Sequence, residues 1–366
     1  MGAVSAISPV RERYRQLSTD RQELLRGGLG MAFLAALPFL FSITVLGFSI
    51  DQWISTRVLV LTVLFAFAAQ AWNVMSGYTG LFSFGHAVFF GTGAYATQVL
   101  LNSQSVNPWI GMLVGATIAM GIGLLIGWLT FRYEVEGHYF ALTTFAFAEL
   151  ARHTVNNTPE LNGPNGYFLP LPQEYASDYG LVAFQFQSDL PYYYIALAFL
   201  VMMSTIAWLI KRSWIGLYMF AIREDEQAAR SVGVPTYRYK LFGIAISGFF
   251  TAWAGAFWSM YFTSIRPGTV FDLFINVEVL LPAVIGGLGT VAGPIVGSFL
   301  VTPLSEVLRQ AAWAPPGVDL IIYGLLLVLI PIFTPKGIVF WPEKIRTFLA
   351  KRRSRAGVTD GGVDDE

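Results

Sequence analysis

The feature that most constrains this chain is an apolar run of about 20 residues that recurs along almost its whole length. The hydrocarbon core of a bilayer is about 30 Å thick and a helix rises about 1.5 Å per residue, so a run of about 20 residues is long enough to cross a membrane. Charged residues make up only 13% of the 366 residues, against about 25% in soluble domains. The sequence predicts an all-α polytopic membrane protein.

The apolar runs predict about eight to ten transmembrane helices. They lie at 28–50, 57–75, 81–101, 108–131, 138–153, 191–210, 241–264, 277–308 and 317–333. The run at 277–308 is long for one crossing and is interrupted by glycines, so we interpret it as two crossings, the first ending at Ile285. This interpretation also returns the basic C-terminal tail to the side of the basic N-terminal arm.

Lysine and arginine concentrate in three segments, which are the arm at 1–27, the loop at 211–240 and the first part of the tail at 334–366, whose end is acidic. The connection at 154–190 has neither residue. Because basic short loops stay in the cytoplasm, we predict a permease domain at 28–333 with a cytoplasmic arm, loop and tail. The 154–190 connection is then extracytoplasmic.

Two glycine-rich interruptions, one in each half of the chain, predict broken or re-entrant segments. The first covers 76–80, with small residues continuing to Gly93, and the second covers 286–294. Irregular backbone at membrane depth is tolerated where protein or a water-filled cavity surrounds it, as at transporter binding sites. For any single glycine, close helix packing through small residues is the alternative interpretation.

Several kinds of chemistry have no signature in the chain. It contains no cysteine, and no lysine follows a glycine, so the Gly-Lys-Ser/Thr phosphate loop of ATPases is absent. The histidines His86, His138 and His153 lack metal-ligand spacing. We therefore expect no enzyme activity, no metal, no cofactor and no nucleic-acid partner. Uphill transport would draw on an ion gradient or on a separate ATP-binding subunit.

Three acidic residues within the predicted spans, Glu149, Glu278 and Glu306, are candidates for ion coupling. Glu149 has Arg152 within one turn, and Glu306 has Arg309, which favours ion pairs near span ends over contact with a solute. Glu278 lies near the start of the short broken span without a basic neighbour. The helix dipole favours an acidic group there, and a place on the translocation path is the alternative.

The basic loop contains a predicted short helix at 223–232. Acidic residues begin it and Arg230 lies toward its end, an order that suits the helix dipole, and Gly233 and Pro235 end it. Two interpretations remain open. The helix is either a plug for a groove on a cytoplasmic partner or part of a solvated loop.

The segment Gln227-Ala228-Ala229-x-x-x-Gly233 resembles the Glu-Ala-Ala-x-x-x-Gly coupling loop of ABC importer permeases, with Gln227 in the acidic position. Residues 77–86 (GYTGLFSFGH), 137–148 and 278–294 are similar, in the same order, to motifs of the branched-chain amino acid ABC permease family. The similarity is to its M-type (LivM-like) subunits. The outer stretch at 162–166 resembles the family only loosely.

The resemblance implies an ATP-driven importer subunit with alternating access in a bacterial cytoplasmic (inner) membrane, with both termini cytoplasmic. The implied partners are membrane lipid, a second, H-type permease, two cytoplasmic subunits that bind the ATP, and an extracytoplasmic solute-binding protein. The implied residues for coupling to the ATPase are Arg223, Glu224, Asp225, Glu226, Ala228, Ala229 and Gly233. The candidates for the translocation path are Tyr78, Thr79, Ser83, His86, Thr143, Thr144, Glu278, Gly286, Gly287 and Gly289.

The cargo expected from the resemblance is a branched-chain or other small amino acid. Permeases of similar sequence are also associated with urea, short amides or small carboxylates, and the sequence does not separate these cargoes. A secondary transporter driven by an ion gradient, with Glu149 or Glu278 as the coupling group, is the competing class.

Overall fold

The computed structural model describes residues 19–41, 55–135, 137–169 and 180–310. It also describes short pieces at 317–318, 321–322, 324–325, 328–329 and 337–340. The first 18 residues, most of the predicted span at 317–333 and the tail after 340 lie outside the described residues. Predictions about them are therefore left as predictions.

The described part is almost entirely helical. The helices are α1 (Thr19–Phe41), α2 (Thr56–Thr79), α3 (His86–Gln104), α4 (Pro108–Arg132), α5 (Gly137–Asn156), α6 (Asp189–Arg212), α7 (Trp214–Glu224), α8 (Glu226–Ser231), α9 (Thr236–Phe262), α10 (Pro267–Val270), α11 (Leu273–Gly286) and α12 (Ala292–Gln310). Short 3-10 turns lie at Pro159–Leu161, Gly163–Asn165 and Ile338–Phe340.

Five helical segments are long and apolar enough to cross a membrane, within the part of the chain that the structure describes. They are Thr56–Thr79, Pro108–Arg132, Asp189–Arg212, Thr236–Phe262 and Pro267–Gly286, with shorter apolar helices at Gly27–Phe39 and Ala292–Leu308. α4 leaves a broad apolar face exposed, including Leu113, Leu125 and Trp128. These features confirm the prediction of an all-α polytopic membrane protein.

The chain divides into two compact units, residues 1–56 and 57–366. In the first unit, α1 begins at Thr19, within the predicted basic arm, and carries Pro38 inside the helix. The predicted end of this span near residue 50 lies outside the described residues.

Buried helix α2 is central to the second unit, since its residues from Val58 to Thr79 are all buried. α9 runs antiparallel to it, because Phe65 of α2 contacts Trp258 with ring centroids 5.8 Å apart, whereas Gly243 at the other end of α9 lies against Thr79. α3 runs parallel to α9 and antiparallel to α4.

Glycines set the spacing between α3, α4 and α9. A Cβ added at Gly93 of α3 would collide with the carbonyl of Ala252, and one at Gly255 of α9 would collide with that of Phe90. A Cβ at Gly115 of α4 would lie only 3.1 Å from the Cα of Gly93. Small residues therefore let these backbones approach closely, which supports the packing interpretation for the glycines of α3.

The first predicted interruption is real but begins later than predicted. Residues 76–79 are helical, because α2 continues to Thr79, and the irregular stretch is 80–85. α3 then starts at His86, whose ring contacts Ser247 within α9 and not at an end of α9. The stretch 80–85 thus carries the chain back alongside α2 before the next helix forms.

The second interruption confirms that 277–308 forms two helices. α11 ends at Gly286 and α12 begins at Ala292, with 287–291 between them, which we call the α11–α12 link. α11 begins at Leu273, capped by the side chain of Asp272. The helix begins before the predicted start at Val277, so Glu278 lies in its second turn and not in the first turn, where the helix dipole would favour it.

The predicted helix at 223–232 is two helices. Asp225 has extended backbone, ends α7 and caps α8 by accepting a hydrogen bond from the N–H of Ala228 at 2.9 Å. The single-helix prediction was wrong because an aspartate inside a helix-forming run caps a new helix as readily as it continues the old one.

The connection after α5 is tied to the end of α9. β1 (Tyr167–Phe168) pairs antiparallel with β2 (Ser264–Ile265), and Tyr167 lies opposite Ile265. Farther along, the indole N–H of Trp109 donates to the carbonyl of Leu181 at 2.7 Å. The described parts of this connection therefore cover one end of the helices.

Candidate functional site

The C-terminal turn of α2 receives a hydrogen bond from the loop that was predicted to couple to an ATPase. Gly80 adopts a left-handed backbone (φ 77°) and its N–H bonds to the carbonyl of Ser76 at 3.1 Å, which is a common way to close a helix. The carbonyl of Gly77 accepts instead from Nη1 of Arg223 at 2.6 Å. A guanidinium at this end also suits the helix dipole.

The α11–α12 link is held by Asn73, one turn earlier on α2. Its Oδ1 accepts from the N–H of Gly289 at 2.8 Å, and its Nδ2 donates to the carbonyl of Thr290 at 2.9 Å. Asn73 is fully buried. Because the N–H of Gly289 and the carbonyl of Thr290 lie outside the helical hydrogen-bond ladders of α11 and α12, the amide side chain supplies partners that these backbone groups need when buried.

The space around these groups requires glycine at two positions. A Cβ at Gly77 would lie 2.7 Å from the N–H nitrogen of Gly289. Gly289 has a left-handed backbone (φ 77°), and a Cβ there would lie 3.0 Å from the carbonyl oxygen of Gly77 and would collide with Nη1 of Arg223. We call Asn73, Gly77, Arg223, Gly289 and Thr290 the link junction, where α2, α7 and the link meet almost backbone to backbone.

A second cluster surrounds the N-terminus of α3. Nε2 of His86 lies 2.7 Å from Oγ of Ser247, and Nδ1 lies 3.2 Å from Oγ of Ser83. All three side chains are buried. Each hydroxyl can donate or accept, so either neutral tautomer of the imidazole is satisfied.

Two further polar side chains hold the backbone that leads into α3. The N–H of Phe84 donates to Oγ1 of Thr144 at 3.1 Å, and the N–H of Ala87 donates to Oδ1 of Asn276 at 2.7 Å. Nδ2 of Asn276 is buried and has no hydrogen-bond partner. We call Ser83, His86, Thr144, Ser247 and Asn276 the α3 cluster.

These two clusters offer hydrogen-bonding groups, not a catalytic arrangement. Within the described ranges, no three His, Asp or Glu side chains are grouped so that they could hold a metal ion. The free amide donor of Asn276 beside irregular backbone is the kind of group that binds a polar solute at a broken helix.

The predicted path residues divide between the two clusters and other locations. Ser83, His86 and Thr144 meet in the α3 cluster, and Gly289 lies in the link junction, whereas Gly286 packs against Gly293 at the start of α12. The hydroxyl of Tyr78 donates to the carbonyl of Ala207 in α6 at 3.2 Å. The others are Thr79 and Thr143, which donate to carbonyls one turn back in their own helices, Gly287, which has positive φ, and Glu278, which is buried.

Sequence reasoning missed Asn73, Ser247 and Asn276. Asn73 and Ser247 are polar residues inside predicted apolar runs and Asn276 immediately precedes one, and polar residues within membrane spans are expensive and tend to be functional. That signal was present in the sequence for all three residues. They were missed because only ionisable side chains within the spans were considered as candidates.

The acidic candidate Glu149 forms the ion pair that its spacing predicted. Its Oε2 lies 2.6 Å from Nη2 of Arg152 and 3.7 Å from Nε2 of His153. Both Glu149 and Arg152 are partly exposed. This contact confirms the predicted ion pair between Glu149 and Arg152.

The segment predicted to couple to an ATPase, residues 223–233, is attached to α9 through Glu226. Both of its carboxylate oxygens accept from Nζ of Lys240 at 2.7 Å, and Arg230 adds a contact at 3.0 Å. Lys240 is only 3% exposed and its ammonium also lies 4.8 Å from the ring centroid of Phe131. Burial alone would raise the pKa of Glu226, but hydrogen bonds from Lys240, Arg230 and Thr236 and the charge of Lys240 hold it below its ordinary value.

The two alanines of the predicted coupling motif, Ala228 and Ala229, face opposite ways. Ala229 is buried against Ile222 and Val234, with Tyr218 and Tyr239 packed beside them. Ala228 is exposed, and so are Gln227, Ser231 and Val232, the last at 79%. We call these four residues, the last of which is the C-cap of α8, the outer face of α8. Gly233, which follows α8, has a left-handed backbone (φ 87°) with open space around its missing side chain.

Comparison with known proteins gives consistent results. Residues 54–331 match the family described as branched-chain amino acid transport system / permease component. The chain is 27% identical over 297 residues to the high-affinity branched-chain amino acid transport system permease protein LivM of Escherichia coli (strain K12), covering 76% of this chain and 68% of that protein. LivM of Salmonella typhimurium (strain LT2) is 26% identical over 303 residues, 78% and 70% of the two chains.

A more distant similarity covers part of the chain. The autoinducer 2 import system permease protein LsrC of Yersinia pestis (strain Pestoides F) is 28% identical over 121 residues, which is 31% of this chain and 34% of that protein. No solved structure matches the chain.

Proposed function

Because the chain belongs to the branched-chain amino acid transport permease family, we propose that it forms half of the membrane passage of an ATP-driven ABC importer for branched-chain amino acids. The observation that carries this function is the family match over 54–331 together with the similarity to LivM over most of the chain. The chain is a multi-pass inner-membrane transport subunit that works in a complex with other subunits.

The partners in this proposal are a second, H-type permease, two cytoplasmic ATP-binding subunits and an extracytoplasmic solute-binding protein. The sequence carries no phosphate loop of the Gly-Lys-Ser/Thr type, so ATP is bound by the partners and this chain needs no cofactor of its own. Both termini and the 211–240 loop face the cytoplasm, in agreement with the distribution of lysine and arginine.

Docking to an ATP-binding subunit takes place at the outer face of α8. This face is exposed and carries small and uncharged side chains, and Glu226 and Ala229 behind it are used to hold α8 against α7 and α9. Glu226 and Ala229 therefore position the docking helix, whereas Ala228 and its exposed neighbours make the contact. Arg223, Glu224, Asp225 and Gly233 flank this surface.

The solute passes along the side of the bundle that contains the α3 cluster and the α11–α12 link. Buried hydrogen-bonding groups beside irregular backbone suit a small zwitterion, because they can replace part of its hydration. Selectivity lies largely in the solute-binding protein, which explains why so few charged groups are needed in the spans.

The decisive experiment is uptake by the complete transporter, reconstituted in liposomes from its own gene cluster. We expect ATP enclosed in the vesicle lumen, which corresponds to the cytosol, to drive uptake of radiolabelled leucine, isoleucine or valine. Urea, short amides and small carboxylates, tested at the same concentrations as competitors, should not reduce uptake. Vesicles with a catalytically inactive ATP-binding subunit provide the control.

Two results would overturn the proposal. Uptake of urea, amides or carboxylates in preference to amino acids would keep the ABC machinery but change the cargo. Accumulation of solute by this chain alone, driven by a proton or sodium gradient without ATP, would show that it is a secondary transporter.

A further inference from the structure

The link junction joins three segments that are far apart in the sequence. Arg223 lies in the segment predicted to couple to an ATPase, Gly77 lies in the last turn of the buried helix α2, and Gly289 belongs to the α11–α12 link. The hydrogen bond from Arg223 to Gly77 joins residues 146 positions apart, and that from Gly289 to Asn73 joins residues 216 positions apart. Local chain connectivity therefore does not account for either contact.

Arg223 is exposed, but its guanidinium reaches a backbone carbonyl of a buried helix. The residue as a whole is exposed, yet its side chain passes over Gly80, whose missing Cβ would lie 3.3 Å from the Cγ of Arg223, and ends on the carbonyl of Gly77. Phe220, one turn earlier on α7, packs on Tyr78 with ring centroids 4.9 Å apart. α7 thus contacts the C-terminal end of α2 through two side chains, those of Arg223 and Phe220.

Few residues separate α8 from these contacts between α7 and α2. Only Asp225 separates α7 from α8, and its side chain caps α8. α7 is in turn capped at its start by Ser213, which follows α6 directly. A force on the outer face of α8 therefore reaches Arg223 within a few residues, and from there the carbonyl of Gly77.

We propose that Arg223 is a positioning residue that couples the cytoplasmic helices α7 and α8 to the α11–α12 link, through the carbonyl of Gly77 and the amide of Asn73. This inference rests on the proposed function and assigns Arg223 to the inside of the subunit, not to the surface that touches the ATP-binding subunit. When α7 moves, the end of α2 and the link move with it, and the link changes the shape of the passage beside it.

The first test replaces Arg223 in the reconstituted complex and measures solute uptake and ATP hydrolysis in the same vesicles. For Arg223→Met we expect at least a tenfold fall in solute transported per ATP. Arg223→Lys should recover most of the ratio, because an ammonium can also donate to the carbonyl of Gly77. Arg132→Met, at an exposed arginine at the end of α4, is the matched control and should leave the ratio unchanged.

A second test approaches the same contact from the other side. Gly289→Ala inserts a methyl group against the guanidinium of Arg223 and also strains a left-handed backbone. Gly137→Ala strains a left-handed backbone (φ 56°) but meets nothing within 4 Å, so it reports the strain alone. We expect Gly289→Ala to reproduce the lowered transport ratio and Gly137→Ala to leave it unchanged.

Because the chain has no cysteine, spin labels can be placed on introduced cysteines without removing others. We would label Leu217→Cys on α7 and Ala292→Cys at the start of α12, both exposed positions, and measure their separation with and without nucleotide. The proposal predicts a separation that stays constant in the otherwise wild-type complex and changes with nucleotide in Arg223→Met.

The outcomes are distinguishable from those that test the proposed function. If the wild-type complex fails to link ATP hydrolysis to uptake, the proposed function fails and the ratio has no meaning. If the wild-type complex is coupled but Arg223→Met retains the wild-type ratio, or Arg223→Lys is as defective as Arg223→Met, the positioning inference is overturned. A normal ratio in Gly289→Ala would also overturn it.

Discussion

Lys240 donates to both carboxylate oxygens of Glu226 at 2.7 Å and is itself buried. This ion pair joins α8 to the first turns of α9, so the helix proposed to dock on the ATP-binding subunit is fixed to a membrane helix by charge as well as by chain connection. Buried pairs of this kind contribute little over an apolar pair, but breaking one side is costly.

We predict that Glu226→Gln loosens α8, because it leaves the Lys240 ammonium buried without a carboxylate, at a cost of about 3–5 kcal/mol. Amide hydrogen exchange of residues 226–234 should accelerate and uptake should fall relative to ATP hydrolysis. Arg230→Gln, at the exposed partner of the same carboxylate, should cost less than about 1 kcal/mol. The double variant Glu226→Gln/Lys240→Met should exchange more slowly than Glu226→Gln, and equal rates would argue against the ion-pair explanation.

The same pair predicts a pH dependence. Because the folded state lowers the pKa of Glu226 from its ordinary 4.5, the stabilisation is complete above that value and is lost as the pH falls through the lowered folded value. Hydrogen exchange in α8, corrected for the intrinsic effect of pH, should be constant near neutrality and rise only below about pH 4.5. Glu226→Gln should remove this acid dependence.

We predict that Gly286→Ala damages the joint between α11 and α12. A Cβ at Gly286 would collide with the carbonyl of Gly293, so the two backbones must separate, and overpacking of this kind costs about 1–3 kcal/mol. The thermal midpoint of the purified subunit in detergent should fall, together with uptake. Gly268→Ala, where a Cβ meets nothing, is the control, and equal midpoints for both variants would contradict the packing argument.

His86→Leu should destabilise the α3 cluster. The substitution removes the partner of the buried Ser247 hydroxyl, and an unsatisfied buried hydroxyl costs about 1–3 kcal/mol. A thermal-shift measurement in detergent should show the loss, and His86→Leu/Ser247→Ala should recover part of it. His138→Leu, at an exposed histidine, should have little effect. Absence of recovery in the double variant would mean that Ser247 does not depend on His86.

Glu278→Gln tests the ion-coupled alternative, since Glu278 is a buried acidic residue of α11, 6% exposed. For an ATP-driven subunit we expect that collapsing the proton or sodium gradient changes wild-type uptake by less than about twofold, and that Glu278→Gln retains its ATP requirement. The measurement is initial uptake in proteoliposomes with ionophores added. Gradient-driven uptake that needs no ATP and disappears in Glu278→Gln would favour the secondary transporter.

Most of the architecture was predictable because hydropathy and helix length act locally. The apolar runs located helices, although α3 and α5, predicted as spans at 81–101 and 138–153, are not among the described segments long and apolar enough to cross a membrane. The glycines at 286–289 correctly divided 277–308 into α11 and α12. The failures were also local. Residues 76–79 contain a glycine but remain helical, because the carbonyl of Gly77 accepts from Arg223 and the N–H of Gly80 bonds to the carbonyl of Ser76. Asp225 capped a new helix where one continuous helix was predicted.

The sequence by itself determined that this is a helical membrane protein, that 277–308 is divided into two helices, and to which family it is similar, because each depends on residue type, spacing or order along the chain. Only the tertiary structure decided that Arg223 reaches Gly77, that Asn73 holds the α11–α12 link, and that Ala229 is buried while Ala228 is exposed. These facts depend on which helix faces lie against each other. That choice is made by packing between segments up to 236 residues apart, which no local pattern encodes.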